Sequence, residues 1–285
     1  TEADIDAVIA GFARCAKVLK EAGFTGVQLH SAHGYLLSQF LSPRSNQRTD
    51  RWGGSLENRA RALLESVNAV RAAVGPEFPV GVKLNSADFQ RGGFDFTESL
   101  QVAKWLEAAG VDLLEISGGT YEQPRLLNVE GIEPIENQAI AQSTRAREAY
   151  FVDFAQAMRK ELTMPLMVTG GLRRLDAMES ALESGSADVV GIGRPMCVMT
   201  DAPKRLLAGM EHLPRYEDAL SLLPRWLKIL EKISLFKTLG TFAVQYWYYE
   251  QILLLGEQGK TSDDLSVFAA TRRQMKLAND LAAAR

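Results

Sequence analysis

Cysteine is scarce in this chain: 285 residues carry only two, Cys15 and Cys197. Two thiols make neither a disulfide framework nor a tetrahedral metal site, and an iron–sulfur cluster takes four thiolates. Basic charge is not in excess either. Lys and Arg total 32 against 35 Asp and Glu, a net charge of −3, so the basic stripe that nucleic acid would require is missing. Long apolar runs are also lacking. A membrane span needs about twenty mostly apolar residues, and Lys237, Gln245, Glu250 and Gln251 interrupt the best candidate. No signal peptide pattern is visible, and the expected location is the cytoplasm, although Thr1 is not an initiator methionine and targeting information upstream stays open. What remains has the apolar and charged fractions of an ordinary soluble enzyme.

Histidine is rare as well, and its distribution is uneven. Of three histidines, His30, His33 and His212, two fall in the hexapeptide His30-Ser31-Ala32-His33-Gly34-Tyr35. The preceding run Gly26-Val27-Gln28-Leu29 is short and β-prone, and it follows an Ala22-Gly23 helix stop. Gly34 breaks the strand, so two imidazoles and a phenol collect at its carboxyl end, where parallel α/β folds place their ligands. Spacing alone supports a loop with two satisfied histidines equally well.

The rest of the chain alternates short apolar runs with amphipathic stretches. Strands are expected at Val27–His30, Val80–Leu84, Leu113–Ser117, Leu166–Thr169 and Val189–Ile192, nearly continuous in apolar residues as for strands covered on both faces. Helices are expected at Asp4–Glu21, Ser55–Val74 with Ser55 as N-cap, Thr97–Ala109 closed by Gly110, Ala146–Leu162, and Leu175–Glu183 closed by Gly185. This βα alternation argues for an α/β fold with a parallel sheet. Gly170-Gly171 and Gly193-Arg194 follow the last two strands. Glycine lets backbone approach an anion, and arginine supplies a fork of donors for phosphate; a plain turn and a surface ion pair are the alternatives.

The motifs, taken together, resemble the old yellow enzyme family of FMN-dependent ene-reductases. The resemblance runs nearly unbroken from Ala22 to Leu64, through His30-Ser-Ala-His-Gly-Tyr-Leu-Leu-Ser-Gln-Phe-Leu-Ser-Pro43, Asn46-x-Arg-Thr-Asp50 and Gly53-Gly-Ser-Leu-Glu-Asn-Arg-Ala-Arg61. It continues through Val80–Leu84, Leu114–Thr120, Val168–Gly171 and Asp188–Pro195, and thins beyond Met196. It implies a (β/α)₈ TIM barrel of which this chain holds roughly the last five βα units, with strands one to three expected before Thr1. On that reading 1–212 is the C-terminal portion of an FMN-binding barrel and 213–285 is a helical extension.

The resemblance also implies roles. His30 and His33 would hold the oxygen of a conjugated carbonyl compound, stabilising the enolate-like charge that develops as hydride reaches the β-carbon. Tyr35 would protonate the α-carbon. Lys83, where the family commonly has arginine, would face the pyrimidine end of the flavin, with the charge kept and the bidentate geometry lost. Gly170, Gly171, Gly193 and Arg194 would bind the FMN phosphate. The implied activity takes hydride from NAD(P)H and reduces the C=C bond of an electron-poor, enone-like substrate. Competing readings are an iron–sulfur flavin relative of the dienoyl-CoA reductase and amine dehydrogenase type, and an idle flavin-binding barrel.

Other polar residues read as structural. Arg44, Arg48, Asp50 and Arg51 form a mixed-charge loop suited to an ion-pair network, and Glu57 and Arg61 are spaced to support their helix. Glu115 needs a partner if buried, and His212 carries no motif. From Arg215 onward long helical patterns contain Trp226, Phe236, Phe242, Tyr246, Trp247, Tyr248 and Tyr249. A membrane-surface helix bearing Lys228, Lys232 and Lys237 is weighed below an extension that packs on the barrel or on a second copy in a homo-oligomer.

Overall fold

The computed structural model describes residues 1–117, 152–223 and 234–283, with side chains from 239 onward in the last segment. Gly118–Thr120, positions 146–151, Trp226, Lys228 and Lys232 lie outside the described residues, as do the side chains of Phe236 and Lys237. The described residues form two compact units. One comprises Thr1–Leu172 and Asp176–Gly191; the other comprises Arg173–Leu175 and Ile192–Arg285.

In the first unit, five parallel strands pair in chain order: β1 (Val27–Ser31), β2 (Val80–Asn85), β3 (Leu113–Ser117), β4 (Leu166–Thr169) and β5 (Val189–Gly191). Helices α1 (Glu2–Glu21), α2 (Leu36–Leu41), α3 (Leu56–Val74), α4 (Phe96–Ala108), α5 (Val152–Arg159) and α6 (Leu175–Glu183) alternate with them. Strands in chain order with helical crossovers are the βα units of a parallel α/β barrel.

Local chemistry sets the boundaries. Thr1 caps α1 in a capping box with Asp4, and Ser55 Oγ accepts the Asn58 N–H at 3.4 Å to start α3. The Asp95 carboxylate accepts the Glu98 N–H at 2.9 Å, which starts α4 at Phe96 rather than Thr97. Arg71, at the end of α3, donates to the Phe78 carbonyl at 2.6 Å and the Gly110 carbonyl at 2.8 Å and pairs with Asp112. One side chain thereby ties α3 to the turns that enter β2 and β3.

The two faces of the sheet differ. Leu29, Val82, Leu114 and Leu166 share one row, Leu84, Ile116 and Val168 the next, and all are buried. Full burial of each such side chain contributes about 1.5–3 kcal/mol. The opposite face carries Gln28, His30, Lys83 and Glu115. Strands β1, β2 and β3 are thus not apolar on both sides: each carries polar groups on this face.

The second unit contains α7 (Ala202–Leu207), α8 (Ser234–Gln258) and α9 (Val267–Ala283). Its core is Ala243, Trp247, Tyr248, Val267 and Ala270, with Cys197 and Val198 packed against it. Trp247 Nε1 donates to the Leu265 carbonyl at 2.7 Å, and Thr261 donates to the Val198 carbonyl at 3.2 Å. These contacts explain why compactness divides the chain after Gly191, whereas the change in composition falls near 213. Among the described residues no helix is long and apolar enough to cross a membrane.

Candidate active site at the carboxyl edge of the sheet

Strand register builds the site. His30 lies opposite Lys83, Lys83 opposite Glu115, and Glu115 opposite Met167, so one row crosses four strands on the polar face. Lys83 Nζ donates to Glu115 Oε1 at 2.8 Å. Burial pushes the Glu115 carboxyl up, but the hydrogen bond and positive charge of Lys83 outweigh it and hold the group below its ordinary value. The carboxyl therefore stands ionised, and Lys83 is the partner that this buried strand acid requires.

Beyond β1 the chain turns sharply. His33 and Gly34 both take left-handed backbone, with φ of 62° and 75°. A histidine held there costs of order 1 kcal/mol, and the surroundings compensate. The His33 N–H donates to Asn85 Oδ1 at 3.1 Å, while Asn85 Nδ2 donates to Asp88 Oδ1 at 2.9 Å. The His33 ring reaches β3, with Nε2 2.7 Å from Ser117 Oγ.

His30 is set differently. Its Nδ1 accepts the Ala32 N–H at 3.3 Å, so the neutral ring carries its proton on Nε2 and can donate from that atom. Its ring lies 5.1 Å from that of His33 and 5.0 Å from that of Tyr35. Burial and then the Lys83 cation lower the pKa of His30. Burial, Lys83 and His30 together bring His33 down to about 4. Both imidazoles are accordingly neutral at pH 7. Tyr35 is 47% exposed and presents its phenol beside them.

The structure thus brings His30, His33, Tyr35 and Lys83 to one edge. It adds Asn85, Ser117 and Glu115 as their holders. Asn85 and Ser117 are polar residues that end strands β2 and β3, which is the signal that marks them in sequence. His33 differs from expectation in one respect: Nε2 is engaged by Ser117, leaving Nδ1 as its other ring nitrogen for a ligand.

The expected phosphate residues fall into different units. Gly170 and Gly171 follow β4 in the first, with φ of 131° and 78°, backbone that favours glycine. Gly193 and Arg194 belong to the second, where Arg194 Nη1 lies 2.9 Å from Glu217 Oε1. Arg173 Nη2 donates to the same oxygen at 2.9 Å. Neither Arg173 nor Glu217 stands out in the sequence.

Several structural readings hold. Arg48 pairs with Asp50, whose carboxylate also accepts the Trp52 N–H at 3.1 Å. Arg51 lies 3.5 Å from Glu65, and Arg44 donates to the Arg91 carbonyl at 3.0 Å. Arg61, however, does not use Glu57. It donates to the Arg51 carbonyl at 2.8 Å and Asn58 Oδ1 at 3.0 Å, anchoring the preceding loop instead.

A flavin fits this edge. Lys83 supplies a cation on the polar face, and the glycine pair after β4 adds no side chain of its own between the backbone and an anion. Residues 1–212 match the NADH:flavin oxidoreductase / NADH oxidase family. The NADH-dependent flavin oxidoreductase iccE of Talaromyces variabilis is 42% identical over 209 residues, covering 73% of this chain and 49% of that protein. A 2-naphthoyl-CoA reductase complex superposes with a TM-score of 0.65 at 32% identity, covering 73% of this chain and 30% of that one. The old yellow enzyme homologue of Zymomonas mobilis gives 0.58 at 25% identity, covering 74% and 54%. The chain spans 28–51% of the length of the first curated relatives that it matches.

Proposed function

Because this chain belongs to the NADH:flavin oxidoreductase / NADH oxidase family, we propose that it is the catalytic-edge part of an FMN-dependent, NAD(P)H-consuming ene-reductase. The observation that carries this reading is the His30–Tyr35 pair: a neutral imidazole with an Nε2 proton, and a phenol whose ring lies 5.0 Å away. Bound there, FMN supplies a two-electron relay between the nicotinamide and the alkene carbon β to the carbonyl.

The side chains do the rest. His30 donates from Nε2 to the substrate carbonyl oxygen, and His33 adds a second polar contact, so charge building on that oxygen meets preset dipoles. Neutral rings suit this task, because they donate without placing a cation beside Lys83. Tyr35 delivers a proton to the carbon next to the carbonyl. Lys83 holds the pyrimidine end of the flavin, with Glu115 fixing its ammonium. Gly170 and Gly171 are assigned to the phosphate end from their residue chemistry and their place after β4; Gly193 and Arg194, in the second unit, keep that role only as the family resemblance implies it. The substrate is a small electron-poor alkene of the α,β-unsaturated carbonyl type.

The direct test is anaerobic mixing of the FMN-loaded protein with NADH or NADPH, then with a cyclic enone such as 2-cyclohexenone. Bleaching by nicotinamide and colour return with formation of the saturated ketone are expected. Bleaching without reoxidation by any activated alkene would contradict the reading.

A further inference from the structure

Among the described residues, two that are not glycine take left-handed backbone: His33 with φ of 62° and Phe89 with φ of 59°. Side chains with a β-carbon rarely adopt that backbone and keep it only where their surroundings hold them there. One buried pair, Asn85 and Asp88, bonds to both turns. Asn85 Oδ1 accepts the His33 N–H at 3.1 Å, and Asn85 Nδ2 donates to Asp88 Oδ1 at 2.9 Å. Asp88, next to Phe89, takes the Phe94 N–H on Oδ2 at 3.2 Å, and its own N–H donates to the Phe94 carbonyl at 2.9 Å. Gly93 lies against the same side chain: a β-carbon there would fall 3.2 Å from Asp88 Cβ and 3.3 Å from Oδ2.

These contacts form a chain of three hydrogen bonds with a backbone donor at each end. The His33 and Phe94 N–H groups can only donate, so each side chain must turn an oxygen outward. The contact between the two side chains then needs one donor and one acceptor. An amide at one position and a carboxyl group at the other satisfy it, whereas two amides set donor against donor. Asn85 and Asp88 are each 1% exposed, so water does not make good a mismatch. Both have further interactions, and the shared contact has to match whatever those are. A side-chain amide by itself is two-fold in orientation; the Asp88 oxygen selects the one in which Asn85 Oδ1 faces His33. His33 is thereby gripped twice, at its backbone by Asn85 and at its ring by Ser117, and the Ser86 N–H ties the two strand ends by donating to the Ser117 carbonyl at 2.6 Å.

We propose that Asp88 is a positioning residue of the active edge: acting through Asn85, it holds the left-handed turn at His33 and with it the ring that meets the substrate. The role in turnover rests on the ene-reductase reading above, and the hydrogen-bond relay does not. Asp88→Asn keeps the size and an oxygen for the Phe94 N–H but mismatches the inner contact. Adding Asn85→Asp reverses the two groups and restores the match.

The test uses the whole chain with isotope-labelled histidine. Three histidines give three backbone amide signals, and that of His33 is the one lost in His33→Asn. Its hydrogen exchange should quicken roughly tenfold in Asp88→Asn, the loss of about one hydrogen bond, and return to about the parent rate in Asn85→Asp/Asp88→Asn. With FMN bound, kcat/KM for 2-cyclohexenone should fall roughly tenfold and recover in the same pattern. A role in closing the β2–α4 loop alone predicts neither effect, because Asp88→Asn keeps the Phe94 bond. Parent-like exchange in Asp88→Asn, or no recovery in the double variant, overturns the proposal, as does unchanged enone kcat/KM beside faster exchange. If Asp88→Asn does not fold by circular dichroism, recovery of folding on adding Asn85→Asp supports the proposal and its failure overturns it. A parent that turns over no enone contradicts the ene-reductase reading instead, and the exchange pattern alone then decides the relay.

Discussion

His33 and Ser117 meet across two strands: the imidazole Nε2 lies 2.7 Å from the serine Oγ, although the residues are 84 apart in sequence. The contact pulls the ring over the sheet edge, beside Lys83 and His30, where it stays neutral. It links a loop after β1 to the end of β3, and so makes the geometry of the active edge depend on packing of the whole sheet.

One consequence is a pH dependence of stability. Burial, with the Lys83 and His30 charges, holds His33 down to about 4 in the folded protein, against about 6.5 in an unfolded chain. Between those values the unfolded chain binds a proton that the folded one refuses, so stability must fall as pH falls. The loss should reach about 2–3 kcal/mol by pH 4 from this residue. Urea unfolding from pH 7 to pH 4 should show a loss that shrinks in His33→Asn; identical profiles would contradict the burial argument.

The Lys83–Glu115 pair predicts a second effect. Lys83→Met leaves the Glu115 carboxylate buried and uncompensated, which costs about 3 kcal/mol at pH 7. The partnered carboxyl is held low, so the pair's stabilisation is present at neutral pH and disappears as pH falls through the folded value of Glu115. The deficit of Lys83→Met in urea should therefore narrow in acid. A variant as stable as the parent at pH 7 would show that the pair contributes nothing.

Packing at the end of the sheet predicts a third. A β-carbon at Gly191 would fall 1.8 Å from Thr169 Oγ1 and 2.7 Å from Met167 Cε. Gly191→Ala should cost about 1–3 kcal/mol through this clash. Thr169→Ala in the same chain should recover part of the loss, so the two changes should be non-additive. Additive effects would mean that β5 moves aside freely.

Much of this arrangement was legible in sequence, and the gaps have physical causes. Strands Leu113–Ser117 and Leu166–Thr169 fall where short apolar runs bounded by Gly, Pro and Asp place them. The helix Leu175–Glu183 ends as expected before Gly185. Helix Leu36–Leu41 has no sequence signal, because six residues carry too little periodicity. The polar face of the sheet, Gln28, His30, Lys83 and Glu115, departs from the expectation of strands apolar on both faces, because these residues alternate with the buried rows. His30, Tyr35 and Lys83 stand out because they sit in short dense motifs. Asn85 and Ser117 act on His33 from 52 and 84 residues away, and no local pattern announces such contacts. Glu217 is still less visible: its partners Arg173 and Tyr248 lie 44 and 31 residues away on either side.

The central claim, that Tyr35 is the proton donor beside a carbonyl-binding His30, is tested most directly by stopped-flow measurement of both half-reactions in Tyr35→Phe. Flavin bleaching by the nicotinamide should proceed at nearly the parent rate, while enone reduction should slow by ~10²–10⁴-fold, the usual contribution of a general acid. Equal slowing of the two half-reactions, or an unchanged rate of enone reduction, would contradict the account.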